Sequence, residues 1–264
     1  MAAVLADAEI EGFVHDGFVK VAQAFSRELA ARCVDELWLS LDVDRYDPAT
    51  WTEPIIRIPG TRHPDLVAAI NTDRLTGAIN DVLGGPHAWQ PRSTGYGSFP
   101  VRFPSEVDPG DAGWHIDSSF GPAPDWLVNF VSRGRALLLL MLFSDVTEND
   151  APTRIRVGSH FDVARGLAAE DSDSVAFRMD SHAQGSDDRK VVLATGNGGD
   201  VYICHPFLVH AATWPPRGKQ PRFVAQPCIH HPEGEYLGGF DYNNLGDDSP
   251  VKRAVRLALA DGSL

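Results

Sequence analysis

The fold class this sequence predicts is mainly β, a sandwich or barrel with helices near both ends, and three observations predict it. Between about Leu83 and Ser249 the chain is a succession of short apolar runs broken by Gly, Pro and Asp turns, the pattern of many short strands. Longer stretches with apolar residues at helical spacing fall ahead of that zone and after it. The 264 residues, 43% of them hydrophobic, suffice to bury a substantial core, and no linker divides them, so residues 1–264 read as one domain.

Taken in order, Ser26 is the N-cap of a helix in which Leu29, Cys33, Leu37 and Leu41 recur every fourth residue on one face. A second helix spans about Pro64 to Leu83. Pro and Asp suit its first turn, where a missing N–H costs little, and Gly84-Gly85 ends it. The run Ala136–Phe143, apolar throughout, has no face fit for water and reads as a strand buried on both sides. The stretch from Asp162 to Lys190 is rich in Asp, Ser and Ala, with strand character only near Val175-Ala176-Phe177. It reads as an insert between strands, either a substrate lid or a surface excursion. Ser249-Pro250 starts a third helix, with Val251, Val255 and Leu259 at helical spacing and Gly262 as its stop.

Charge excludes several partners. With 23 basic and 36 acidic residues the formal charge is −13, which opposes attraction to nucleic-acid backbones and anionic membranes. The run at Ala136–Phe143 is far too short to cross a bilayer, and the N-terminus lacks the positive start and sustained apolar core of a signal peptide, so a cytoplasmic protein is expected. Three cysteines, Cys33, Cys204 and Cys228, are odd in number and not closely paired, which fits buried thiols in a reducing compartment. The expected partner is a small molecule, and the expected assembly a monomer or homodimer.

The chemistry concentrates in Gly113-Trp114-His115-Ile116-Asp117-Ser118-Ser119-Phe120, an aromatic-flanked run that reads as a strand. Strand side chains alternate faces, so His115 and Asp117 project from the same side. A carboxylate in such a strand is costly to bury without a cation, and a shared metal explains both residues. A second imidazole would complete the two-His, one-carboxylate triad that holds iron(II) and leaves positions open. His210 is the candidate, at the close of the run Gly199-Asp200-Val201 to His210, which also reads as a strand. His205 is the rival, but it falls on the other face of a regular strand. His160, His230 and His231 are given no metal role. Arg222, opening Arg-Phe-Val-Ala-Gln, has the planar fork that grips a carboxylate. Arg217 and Lys219 compete with it but sit in a proline-rich turn facing water.

The order His-x-Asp, distant His, then Arg twelve residues later resembles the iron(II)/2-oxoglutarate oxygenases, specifically the phytanoyl-CoA dioxygenase family. Phe13–Val19 looks like that family's opening strand, Pro109-Gly110 followed by Trp114-His115-x-Asp117 like its metal strand, and Gly158-Ser159-His160 like its internal turn. The resemblance runs from about Gly12 to Ile229. It implies a double-stranded β-helix, the cupin-like jelly roll, with flanking helices. It further implies that His115, Asp117 and His210 hold iron(II), that Arg222 anchors the far carboxylate of 2-oxoglutarate, and that dioxygen is the second co-substrate. The jelly roll would put His210 and Arg222 on facing sheets, whereas a simple hairpin would set them directly opposite, with Cys204 opposite Cys228. Two positions depart from the family's habit: Ile116 stands where Gln is frequent, and Ala212 where a hydroxyl is. Asp117 keeps the carboxylate that halogenating relatives lack, which favours hydroxylation.

Of the clustered aromatics Trp89, Tyr96, Phe99, Phe103, Trp114, Phe120, Trp126 and Phe130, most are expected in the core. Tyr96, Arg102, Trp126 and Asn129 are candidates for contacts to substrate or co-substrate. The scattered arginines Arg57, Arg62, Arg92 and Arg102 do not form the basic cluster a coenzyme A thioester needs, so a smaller, largely apolar or natural-product-like substrate is expected. Two other classes remain open: a jelly-roll binding protein without oxidative activity, and a cupin-like metalloenzyme that does not use 2-oxoglutarate.

Overall fold

The N-terminal segment folds as helix α1 (Asp7–Asp16), in which Glu9 accepts a 2.8 Å bond from the Ala6 N–H at the helix start and Gly17, at φ 84°, forms the left-handed C-cap. Phe13–Asp16, expected in an opening strand, therefore belong to a helix; strand β1 (Phe18–Val21) begins only after that glycine. The computed structural model describes residues 3–60, 62–87, 89, 98–118, 127–128, 135–170, 175–176, 181–215, 217–230 and 249–260.

Helix α2 (Arg27–Trp38) starts at Ser26, whose Oγ accepts from the Leu29 N–H as expected, and buries Cys33 and Leu37. After strand β2 (Ile55–Pro59) the anticipated single helix proves to be two, α3 (Pro64–Ile70) and α4 (Asp73–Leu83). Thr72 breaks it: its hydroxyl caps α4 at the Leu75 N–H and donates 2.6 Å to the Ala24 carbonyl, a local alternative to continuing the helix.

The remaining strands are β3 (Ser98–Arg102), β4 (Leu127–Val128), β5 (Leu137–Leu142), β6 (Arg154–Arg156), β7 (Val175–Ala176), β8 (Val191–Leu193), β9 (Val201–Cys204), β10 (His210–Ala211), β11 (Val224–Ala225) and β12 (Cys228–Ile229). Helices α5 (Ser159–Ala169) and α6 (Ser181–Gln184) fall between β6 and β8, and α7 (Pro250–Ala260) ends the described chain. The first part of the presumed insert is thus helical, and its strand-like spot pairs as β7 with β4.

One antiparallel sheet runs β1-β9-β5-β11, with β12 also on β5; a second runs β10-β6-β8. Strand β5 is buried along its whole length, and its alternation shows why. Leu137, Leu139 and Met141 join the core formed with the N-terminal helices, while Leu138, Leu140 and Leu142 join Ile155, Ala194 and Leu208 from the side of the second sheet. Cys204 and Cys228 both face Leu138 across neighbouring ladders, and β10 and β11 lie in different sheets, so the simple hairpin does not form. Among the described residues no helix is long and apolar enough to cross a membrane.

Candidate active site

The long run ending at His210 is not one strand. It leaves the first sheet at Cys204, turns at Pro206-Phe207 and re-enters as β10 in the second. This turn is what brings His210 to His115. The two residues exchange both main-chain bonds, His115 N–H to the His210 carbonyl at 3.0 Å and the reverse at 2.9 Å, an antiparallel pair whose side chains share one face. Outside this bridge the metal segment is extended rather than laddered. Ile116 points away and is fully buried beside Phe207, Val209 and Val163. The alternation inferred for residues 115 and 117 holds, and Ile116 supplies the wall behind them.

One ligand atom from each of His115, Asp117 and His210 lies within 4.8 Å of the other two. Asp117 Oδ1 is 3.9 Å from His115 Nε2 and 3.7 Å from His210 Nε2. The Nδ1 atoms are already engaged, with the Gly113 carbonyl at 2.8 Å and the Leu208 carbonyl at 3.1 Å. A carbonyl only accepts, so each Nδ1 carries a proton and each ring turns its Nε2 toward the carboxylate. Two imidazole nitrogens and one carboxylate oxygen, so oriented, fit a divalent iron-type cation with open positions. Burial pushes the His210 imidazole down to about 4 despite the pull of Asp117. For Asp117 burial opposes the charge, but His210, Arg135 and His115 outweigh it and hold the carboxyl below the usual range. A neutral His210 imidazole beside an ionised Asp117 carboxylate is the pairing that ligates metal.

Two other buried histidines are engaged elsewhere. His205 is fully buried, with Nε2 3.2 Å from the Val251 carbonyl and Nδ1 accepting from the Phe207 N–H, so it braces the turn that delivers His210. His160, placed in a turn by the resemblance, lies instead at the start of α5 and reaches Val14 O near the end of α1, 3.0 Å away.

Arg222 is 4% exposed and forms a second antiparallel bridge, to Arg102, itself 4% exposed. Arg102 Nη2 is 2.6 Å from Asp111 Oδ2, and Arg57 reaches the same oxygen at 3.1 Å, so two of the arginines called scattered meet on one carboxylate. Arg222 donates through Nη1 to the Ala151 carbonyl, three residues ahead of β6, which ties it to the sheet that carries His210. Burial, then the Arg102 charge, pushes its guanidinium down to about 9, with Asp111 and Asp150 pulling the other way. Among the described residues the Nε of Arg102 and of Arg222 has no hydrogen-bond partner. Arg217 and Lys219 are exposed, as their turn implied. Tyr96, Trp126, Asn129, Phe120, Phe130 and Arg92 lie outside the described residues.

Two features escaped the sequence reading. Trp114 has Arg154 and Arg156 over its ring at 4.7 and 4.3 Å from the centroid, and Arg154 also bonds the Ala112 and Ala212 carbonyls, fastening the chain beside both histidines. Arg135, 1% exposed, faces Asp117 at 3.2 Å. Its signal was available: an arginine opening an all-apolar strand cannot reach water and needs a buried anion.

The fold has solved counterparts. The epimerase SnoN, crystallised with Fe3+, alpha-ketoglutarate and nogalamycin RO, is 16% identical with a TM-score of 0.61, covering 92% of each chain. The carbocyclase SnoK from nogalamycin biosynthesis is 14% identical with a TM-score of 0.61, over 87% of this chain and 86% of that one. EctD from S. alaskensis with 2-oxoglutarate and 5-hydroxyectoine is 18% identical with a TM-score of 0.56, over 87% and 77%. At these identities the likeness is one of fold. No curated protein matches the chain. The family model phytanoyl-CoA dioxygenase (PhyH) matches residues 40–223, a span that takes in His115, Asp117, His210 and Arg222, and the chain belongs to that family of non-haem iron, 2-oxoglutarate-dependent dioxygenases.

Proposed function

We propose that this protein hydroxylates an unactivated C–H bond of a small, largely apolar or natural-product-like molecule, with 2-oxoglutarate and dioxygen consumed and succinate and carbon dioxide released. The observation that carries the reading is the convergence of His115, Asp117 and His210 within 4.8 Å, each imidazole holding a backbone carbonyl through Nδ1 and leaving Nε2 to face the carboxylate. These three are the iron(II) ligands. When bound, iron supplies the oxidising chemistry, coupling decarboxylation of the keto acid to attack on the C–H bond.

The chain's own groups bind and orient. Arg222 receives the far carboxylate of 2-oxoglutarate: it is buried, lacks a partner at Nε among the described residues, and reaches across to the segment preceding β6. Arg102, on the same face of the bridge, adds a second positive charge to that pocket. Ile116, Phe207 and Val209 close the site from behind and keep water from the reacting centre. The two sheets are the halves of a double-stranded β-helix, β5, β9 and β11 in one and β10, β6 and β8 in the other. Since SnoN is an epimerase and SnoK a carbocyclase, epimerisation or ring closure on the same scaffold is the second reading.

Succinate release and oxygen uptake, measured with iron(II), 2-oxoglutarate and a panel of small natural products, test the proposal. Product formation should be lost in Asp117→Ala together with bound metal. A wild-type protein that binds iron yet releases no succinate, with or without any substrate, would return the chain to the class of binding proteins.

A further inference from the structure

We infer that Arg135 is a positioning residue that assigns the two oxygens of Asp117 separate tasks and locks the two ligand-bearing segments together. This rests on the reading of His115, Asp117 and His210 as a metal centre. Arg135 immediately precedes the fully buried run that becomes β5, and its guanidinium is itself 98% buried. A cation so placed has no route to solvent and is held by what surrounds it.

Its contacts combine charge with direction. Nη1 lies 3.2 Å from Asp117 Oδ2, an ion pair without hydrogen-bond alignment, while Oδ1 is the oxygen turned toward both imidazoles. Nη2 donates 2.6 Å to the main-chain carbonyl of Asp117 and 2.9 Å to that of Pro206. Asp117 belongs to the segment of His115, and Pro206 lies in the turn that delivers His210. One planar group therefore orients the carboxylate, fixes its backbone and ties that backbone to the other arm of the site. A planar guanidinium, which sets its charge beside Oδ2 while Nη2 donates to two carbonyls, can do all three; a lysine, with one point charge, cannot. The consequence is a carboxylate that offers a single oxygen, and a site in which the spacing of the arms does not drift when the ion leaves.

The test compares wild type with Arg135→Gln and Arg135→Lys by Mn(II) titration of the metal-free proteins, read by the loss of the free-ion magnetic-resonance signal. Near-ultraviolet circular dichroism establishes that each variant is folded. Loss of ligand orientation is worth about 10- to 100-fold in metal affinity, and that is the drop expected for Arg135→Gln. Arg135→Lys should fall between it and wild type, and added guanidinium should restore part of the lost affinity in Arg135→Gln. With iron and 2-oxoglutarate, kcat should fall while KM for 2-oxoglutarate holds, since Arg222 is untouched. A folded Arg135→Gln that binds Mn(II) within twofold of wild type overturns the inference and leaves the metal centre standing. A wild-type protein that binds no Mn(II) overturns the metal centre itself. If neither variant folds, Arg135 is a residue of the core and the inference fails.

Discussion

Arg222 and Arg102 sit directly opposite one another, joined by main-chain bonds of 2.8 and 3.1 Å that place two buried guanidinium groups on one face of a two-residue bridge. The pair is electrostatically unfavourable unless an anion is shared. Asp111 pairs with Arg102 and is shared with Arg57, whereas among the described residues Arg222 pairs with no carboxylate.

That imbalance predicts ligand stabilisation. A dianion that binds only the folded state at one hundred times its Kd adds about 2.7 kcal/mol. In the Mn(II)-loaded protein, 2-oxoglutarate should therefore raise the melting temperature by several degrees. Arg222→Ala should abolish that rise while keeping the increment due to Mn(II), and should raise KM for 2-oxoglutarate by roughly two orders of magnitude, the worth of a buried charge-assisted pair. An undiminished rise in Arg222→Ala would remove this residue from the co-substrate pocket.

Gly17 carries a second prediction. Its φ of 84° is a left-handed conformation, and an added Cβ would lie 2.5 Å from His160 Nδ1 and 2.8 Å from Leu208 Cδ1. Gly17→Ala combines backbone strain with overpacking, for a loss of about 2–4 kcal/mol. A shift of the urea midpoint at constant slope measures it, and a midpoint equal to wild type contradicts the close approach of Gly17 to His160 and Leu208.

Acid should weaken the fold through His160. Burial pushes its pKa down to about 3, so the folded protein refuses a proton that the unfolded chain accepts in the ordinary histidine range, near 6.5. The unfolded state then binds more protons throughout that window, and stability declines as pH drops from about 6.5 toward 3. His205, lowered well below its ordinary value by burial, acts in the same direction. One such group contributes at most about 1.4 kcal/mol per pH unit. In equilibrium unfolding at several pH values, His160→Gln should flatten the slope by up to that amount; an unchanged slope refutes the assignment.

How much of this was legible beforehand depended on how local the signal was. His115 and Asp117 were readable because strand alternation is a two-residue rule, and Ser26, Gly84 and Pro250 because caps are written within one turn of a helix. The break at Thr72 was written there too, as a hydroxyl followed by Asp73, but it was masked by apolar spacing that continues in phase across it. Phe13–Asp16 read as strand because their aromatic and branched side chains outweighed the stop signal of Gly17. The meeting of Arg57, Arg102 and Arg222 around Asp111, and of Arg135 with Asp117 and Pro206, depends on which strands pair across sheets, and no local pattern carries that. Leu138 shows the same limit: two cysteines flank it from opposite ladders, where a hairpin model had them facing each other.

The peptide bridge between residues 115 and 210 has a chemical consequence. Because backbone, rather than a captured ion, sets the distance between the two rings, the pocket is built before it is filled and needs no rearrangement to receive a divalent ion. Divalent ions then rank by intrinsic affinity for nitrogen and oxygen donors, and on that scale copper and zinc surpass iron(II). Copper or zinc should therefore displace iron(II) from the three donors and lower activity, and a chelator followed by fresh iron should restore it.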